Sequence, residues 1–476
     1  MQENKFITIS YGDHNGHDLM AANLDIIRNS GARIQMDAIN IGQLQYDHGF
    51  ISGIDPNSWE VILKNKILLL GPTAKPSDEN FISPHISLSS KLDLFANLII
   101  YKNIWQVFDQ TLENKNDIIV FAESPEGLNT AINRQQTRDC FESGRVVSKS
   151  QLEKLCNFAF EFARLNHRQK LTCIINDDFS YSENILKTIF GQYATKFPDL
   201  QTQLIDIDQA SPWLINAPND FDIIVTSNIC ISSITNILDG NFGFAANAYL
   251  GNKYVLFMGK QNFHAREENI GNVPLSSLLL SSALMLQYIG HNSIAKYIED
   301  AWQATLNEGI FPQGMPNILS ANQVTSDKFI KAIKLRIGSQ LEATCYIDYK
   351  FPDLTDIPAM STGNKELVGL DVFFDYQGNS IEQFATNLIN LCQKTKLKLL
   401  HIASRGLTLW PGLSFGYTPG DYCRARFVIE GDNKTINQSA IIHLLAELTN
   451  AGISFIKSEN LYNYNNQPGF TLVQGG

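Results

Sequence analysis

Few residues in this chain could do chemistry, and they are scattered. The first glycine-bearing turn, Gly12-Asp13-His14-Asn15-Gly16, follows a short apolar run, Phe6–Tyr11, where a dinucleotide-binding fold would carry GxGxxG. Its spacing does not match, so that phosphate cradle is not supported. No HExxH, GxSxG or Walker A sequence occurs. The seven cysteines (Cys140, Cys156, Cys173, Cys230, Cys345, Cys392 and Cys423) contain no CxxC pair, which argues for reduced, mostly buried thiols. His85, Asp177, Asp178, Asp208 and Lys260 remain as ionisable candidates, and nothing in the spacing brings them together.

The elements that must position such groups read as α/β. Phe6–Tyr11, Ala32–Ile41, Ile67–Leu70, Asp117–Phe121, Leu171–Ile175, Leu204–Ile207 and Asp222–Thr226 are short apolar strands. Helices alternate with them: Asp18–Ser30, and Gln151–Asn166 with Leu152, Leu155, Phe158, Phe162 and Leu165 on one stripe. Leu341–Lys365 is irregular, with Pro352, Pro358 and a Ser-Thr-Gly-Asn cluster, and reads as a linker. Leu367–Phe374 then opens a smaller β/α unit.

With 476 residues, two or three domains are expected. A net charge of −11 and the lack of any basic run exclude nucleic acid as a partner. The most apolar stretch, Pro274–Ile289, is too short for a membrane span and is dotted with serine, so it reads as a buried helix. No signal peptide is visible at the start, and a cytoplasmic location is expected.

Segments in order along the chain resemble the isocitrate/isopropylmalate dehydrogenase family. ITISYGDHNGHDLM resembles its opening strand, turn and helix, LGPTAKP and KLDLFANL its substrate-loop region, and FDIIVTSNICISSITNILDG its metal-binding helix. YLGNKYVLF and LSSALMLQYIG resemble the family's segments after that helix. VGLDVFF, SRGLTLWPG, FIKSENLYNY and GFTLVQGG resemble the extra C-terminal domain of one branch of isocitrate dehydrogenases. The resemblance implies a large α/β domain from 1–98 and 252–340, a small clasp-bearing domain at 99–251, a linker at 341–365 and a C-terminal α/β domain at 366–476. It also implies a dimer and, for the family, NAD(P)-dependent oxidation and decarboxylation of isocitrate with Mg²⁺ or Mn²⁺.

That reaction makes strict demands. A tricarboxylate needs arginines, a hard cation needs carboxylates, and a Lys and a Tyr move protons. In the substrate loop Ser83 and His85 are followed by Ser89 and Ile99 at two arginine positions, and Ala122 stands at a third, before Glu123. The only fixed cation from Ile82 to Tyr101 is Lys91. The proton-transfer positions hold Asn129 and Asn176. Where the family's metal helix has two carboxylates stand Ser232 and Asn236, with Asp239 one turn on as a weak substitute, and only Asp208 matches the carboxylate a partner subunit supplies. The cofactor loop reads Lys260-Gln261-Asn262-Phe263-His264, with bulk where the family has glycine.

The resulting expectation is a catalytically degenerate family member, a scaffold or regulatory subunit in a homodimer or a heteromer with an active isocitrate dehydrogenase, with no cofactor. The alternatives are an enzyme of altered substrate on the same fold, or an active dehydrogenase using NAD or NADP with Mg²⁺ or Mn²⁺.

Overall fold

The computed structural model describes residues 5–13, 16–73, 82–102, 117–125, 133–260, 273–312, 323–338, 346–353, 363–378, 380–412, 420–429 and 435–471. The chain forms two compact units, 1–129 with 146–357, and 130–145 with 358–476.

The first unit is built on ten strands. They are β1 (Phe6–Ser10), β2 (Gln35–Ile39), β3 (Ile67–Leu70), β4 (Leu94–Lys102), β5 (Asp117–Glu123), β6 (Lys170–Ile175), β7 (Gln201–Asp206), β8 (Ile223–Thr226), β9 (Ala245–Gly251) and β10 (Val255–Met258). Their spatial order is β2-β1-β3-β10-β9-β4-β5-β8-β6-β7. The three central pairs, β10–β9, β9–β4 and β4–β5, are antiparallel, and the flanking pairs are parallel. The sheet is therefore mixed, as a fold with helices on both faces allows. β4 runs unbroken through Ile99, so the regions expected as large and small domains share one sheet.

One face carries a continuous apolar core under the helices Gly16–Asn29, Lys149–Leu165 and Val273–Tyr288. Gly12 at the end of β1 is required by packing: its φ is +79°, and an added Cβ would lie 2.0 Å from the Pro72 carbonyl oxygen. The serines of Val273–Tyr288 join this apolar helix to its neighbours. Ser282 accepts from Asn23 Nδ2 at 2.8 Å, Ser276 from Trp302 Nε1 at 3.1 Å and Ser281 from Asn247 N at 2.9 Å. Buried hydroxyls are thus paired rather than wasted. Among the described residues, no helix is long and apolar enough to cross a membrane.

Part of the segment read as a linker is core. Tyr349 is 3% exposed; its N–H donates to Gln287 Oε1 at 3.0 Å and its hydroxyl to Asp117. Asp117 is also held by Arg168 at 2.6 and 2.7 Å, and Arg168 reaches Asp222 at 3.0 Å. A second local difference is Ile207. It begins the helix Ile207–Asn216 rather than ending a strand, because the Asp206 carboxylate caps that helix by accepting from Asp208 N at 2.8 Å.

In the second unit a six-stranded antiparallel sheet runs Leu407–Trp410, Leu397–Ser404, Tyr422–Ile429, Lys365–Asp375, Lys457–Tyr464, Gln467–Pro468 in spatial order. The helices Ile381–Cys392 and Gln438–Asn450 pack on one face. The hairpin of Asn133–Gln135 and Phe141–Ser143, expected within the small domain, belongs to this unit.

Candidate functional site

The second face of the ten-stranded sheet is covered in two separate places. Near β3, β9 and β10 the helices Pro56–Asn65 and Pro84–Lys91 seal one apolar cluster. Over β4, β5, β8 and β6 the helices Ile207–Asn216 and Ile231–Phe242 seal another. Cross-strand partners share a face, so the ladder can be read as a row: Leu68, Leu256, Tyr249, Asn97, Ala122, Thr226, Ile174, Ile205. Both ends of the row lie in the apolar clusters, and its middle, Asn97–Ala122–Thr226, lies in neither. This polar middle, where Ala122 and Thr226 are fully buried between the two clusters, is the candidate cleft.

Several residues expected at the substrate site do gather along it. Ser83 caps the approach to the helix Pro84–Lys91, its Oγ 2.8 Å from His85 Nδ1. The His85 ring lies 6.1 Å from that of Tyr249, and burial lowers its pKa to about 4, so it is a neutral imidazole at pH 7. Ser89 is fully buried and spends its hydroxyl on the His85 carbonyl at 2.8 Å. Ala122 is fully buried in the central row. Ile99 is 2% exposed and stands in the next row with Val120 and Ile224, inside the apolar cluster.

The two cations nearest in sequence are committed elsewhere. Lys91 sits over the Trp59 ring at 4.4 Å, and Lys102 is buried against Glu299 at 3.0 Å. The polar groups left along the strip are uncharged: Asn97 Oδ1, Asn247 Oδ1 and Asn228 Oδ1 are buried without a hydrogen-bond partner, as is Ser124 Oγ. Asn228 is fixed by its N–H to Glu123 at 3.2 Å and its Nδ2 to the Ser124 carbonyl at 3.2 Å.

The remaining expected positions fall in four groups. Asn129, Gln261, Asn262, Phe263 and His264 lie outside the described residues. Asn176 follows β6 and caps the turn Asp177–Phe179, its Oδ1 accepting from Asp178 N at 2.9 Å. Asp177 and Asp178 are exposed there, the Asp177 N–H donating to Asp206 at 2.8 Å. Asp208, the one carboxylate matching a metal position, is exposed in the first turn of its helix, whose cap is Asp206. Ser232 and Asn236 are exposed on one stripe of the helix Ile231–Phe242.

The structure also assembles a cluster that the sequence did not indicate. Lys260, just past β10, pairs with Asp239 Oδ2 and lies 2.8 Å from the Tyr101 hydroxyl, which reaches Asp239 Oδ1 at 3.0 Å. Burial, then the Asp239 charge, raises the Tyr101 pKa well above its usual value. Burial lowers that of Lys260, and Asp239 opposes the shift. Both Asp239 oxygens are occupied, which removes the weak metal ligand that the sequence offered. Tyr101 carried no signal: it sits in an apolar strand, 138 positions from Asp239.

A divalent metal does not fit the described residues. Among them no group of three His, Cys, Asp or Glu side chains could hold one, and the helix positions present only a neutral hydroxyl and an amide. Thiol chemistry is disfavoured beside the helix Ile231–Phe242, since burial lifts Cys230 to about 11.

This mixed sheet, with a polar central row between two apolar clusters, is the fold that the ordered segments of the sequence imply. The isocitrate/isopropylmalate dehydrogenase family model matches residues 6–333, and that of the bacterial isocitrate dehydrogenase C-terminal domain matches 365–476. The chain belongs to the isocitrate/isopropylmalate dehydrogenase family.

Among individual proteins it is 31% identical to isocitrate dehydrogenase [NADP] of Rickettsia bellii, over 98% of this chain and 99% of that one. It is 26% identical to isocitrate dehydrogenase [NADP] of Thermus thermophilus, over 99% and 96%. A solved structure of a Thermus thermophilus protein superposes with a TM-score of 0.87 at 25% identity, covering 99% of this chain and 96% of that one.

Proposed function

We propose that this chain is a catalytically degenerate member of its family, acting as a scaffold or regulatory subunit without a cofactor or catalytic metal of its own. The observation that carries this reading is the chemistry of the central strip. Isocitrate presents three carboxylates, all hydrogen-bond acceptors. The strip presents Asn97, Asn228 and Asn247 with unpartnered acceptor oxygens, and Ser89, Ile99 and Ala122 where the resemblance places arginines. These neutral amides bring no charge to balance a tricarboxylate, and no described cation is free there to supply it.

Assembly as a homodimer, or as a heteromer with an active relative, goes with this reading. Leu204 on the edge strand β7, Ile215 on the adjacent helix, and Phe179 and Tyr181 beyond β6 are exposed apolar or aromatic side chains at one end of the sheet. A cytoplasmic location is also proposed, in keeping with the six described cysteines, all free thiols.

A second reading, an active NADP-linked isocitrate dehydrogenase, is favoured by the end-to-end match to the Rickettsia and Thermus proteins of that name. Incubation of the purified chain with isocitrate, Mg²⁺ and NADP⁺ or NAD⁺ separates the two. No reduced cofactor above background is expected, and reproducible NADPH or NADH formation would establish the second reading instead. Light scattering at micromolar concentration tests the assembly claim, which a monomer would end.

A further inference from the structure

The cationic chemistry missing from the strip is present on the C-terminal sheet. The face opposite the helices Ile381–Cys392 and Gln438–Asn450 carries two neighbouring cross-strand rows. One runs His401, Arg426, Asp371, Glu459, and the next runs Ala403, Arg424, Phe373, Lys457.

Most charges on this face are paired among themselves. Arg426, 1% exposed, meets both Asp371 oxygens at 2.7 and 2.8 Å and donates from Nη1 to the Thr471 carbonyl at 2.9 Å. The Phe470 ring lies 4.9 Å from its guanidinium carbon. Lys457 lies 2.7 Å from Glu142 and 2.7 Å from Glu459.

Two groups remain. The carboxylate nearest to Arg424 is the same Asp371, at 3.5 Å and already held by Arg426. His401 is 8% exposed, and its Nε2 has no hydrogen-bond partner. Burial and then the two arginines lower the His401 pKa to about 4, so at pH 7 the ring is neutral and carries one N–H.

His401 and Arg424 stand diagonally on adjacent strands, within reach of one small ligand. Their flanks are built from the same unit: Glu142 of the hairpin approaches beside Lys457, and Phe470–Thr471 lie against Arg426. A guanidinium that shares its one close carboxylate with Arg426 has N–H groups to spare, and the unpartnered His401 Nε2 becomes a donor in the tautomer that places the ring proton there, so an oxyanion satisfies both at once. We propose that Arg424 and His401 form a binding site for a small oxyanion, a phosphate monoester or a carboxylate, on the C-terminal sheet.

The test is thermal unfolding of the full chain in inorganic phosphate, in acetate, and in sodium chloride of matched ionic strength. Either oxyanion should raise the melting temperature by about 2 °C or more beyond chloride. The one that does so names the ligand class. The gain should vanish in Arg424→Met and persist in Arg28→Met, which removes an exposed arginine on the helix Gly16–Asn29. Phosphate and acetate behaving as chloride does, or Arg424→Met responding like the parent, would overturn the proposal. Should Arg424→Met fail to fold, long-range ¹H–¹⁵N spectra of the imidazoles decide. With His401 assigned through His401→Gln, phosphate or acetate must move its resonances, and an unmoved ring refutes the site.

Discussion

Replacing Ile99 with arginine restores the residue type that the family resemblance places there, and the structure predicts that the change will unfold the protein more readily rather than rebuild a substrate pocket. Ile99 is 2% exposed, beside Val120 on one strand and Asn247 on the other. A buried charge without a counter-ion costs about 3–5 kcal/mol by comparison with broken buried pairs. The arginine stem retains part of the burial that isoleucine supplies, so the apolar loss is only about 1 kcal/mol of the ~1.5–3 kcal/mol for a whole side chain. The unpartnered Asn247 Oδ1 can accept one hydrogen bond from the guanidinium, worth about 1.5–3 kcal/mol. The net is a destabilisation of about 1–4.5 kcal/mol, or roughly 1.5–6 °C for a unit of about 340 residues. Ile99→Met, which keeps shape and polarity, should cost under about 1.5 kcal/mol. Melting curves followed by circular dichroism, with and without isocitrate and Mg²⁺, provide the measurement. If Ile99→Arg melts within about 1 °C of the parent, or if isocitrate with Mg²⁺ raises its melting temperature, the strip is a tricarboxylate pocket awaiting its cation and the reasoning fails.

Further outcomes rest on the same geometry. Isocitrate with Mg²⁺ should leave the parent's melting curve unmoved, whereas a true ligand at about 100 times its dissociation constant adds about 2.7 kcal/mol; a shift requiring both components would contradict this. The double variant Asn129→Tyr/Asn176→Lys should remain inactive, because it restores proton transfer while Ser89, Ile99 and Ala122, and Ser232 and Asn236, stay as they are; turnover in a coupled NADPH assay would show that binding had survived. His85 titrates near 4 when folded and near 6.5 when unfolded, so its contribution is complete above pH 6.5 and is lost as the pH falls towards 4. His401 shares that window. His85→Asn should therefore flatten the fall in stability between pH 6.5 and 4 by up to about 3 kcal/mol, read from urea midpoints at each pH, and an unchanged slope would remove His85 as its source.

Lys260, Asp239 and Tyr101 tie together two elements beside the cleft. Their hydrogen bonds close on one another, so the end of β10 and the helix Ile231–Phe242 are joined without metal or dinucleotide.

What the sequence determined by itself was the class of fold and the absence of residue types. Apolar runs of strand length alternating with helical stripes, and ordered segments such as FDIIVTSNICISSITNILDG, needed no coordinates, because periodicity and residue type are local properties. That Ser89, Ile99 and Ala122 carry no charge is likewise true in any conformation. Tertiary structure decided what those residues do instead. Tyr349 reads as part of a proline-flanked linker, yet it is core, because its partners Asp117 and Gln287 are 232 and 62 positions away. Asp208 and Asp206 are equally plausible caps in LIDIDQ, and the exit of β7 selected Asp206. Lys260 reads as a free cation in its loop, but Asp239, 21 positions earlier, neutralises it, and Tyr101, 159 positions earlier, completes the cluster. Convergence of this kind depends on which strands become neighbours, and the order β9-β4-β5-β8 that brings Asn97, Ala122 and Thr226 into one row is a property of the whole sheet rather than of any segment of the chain.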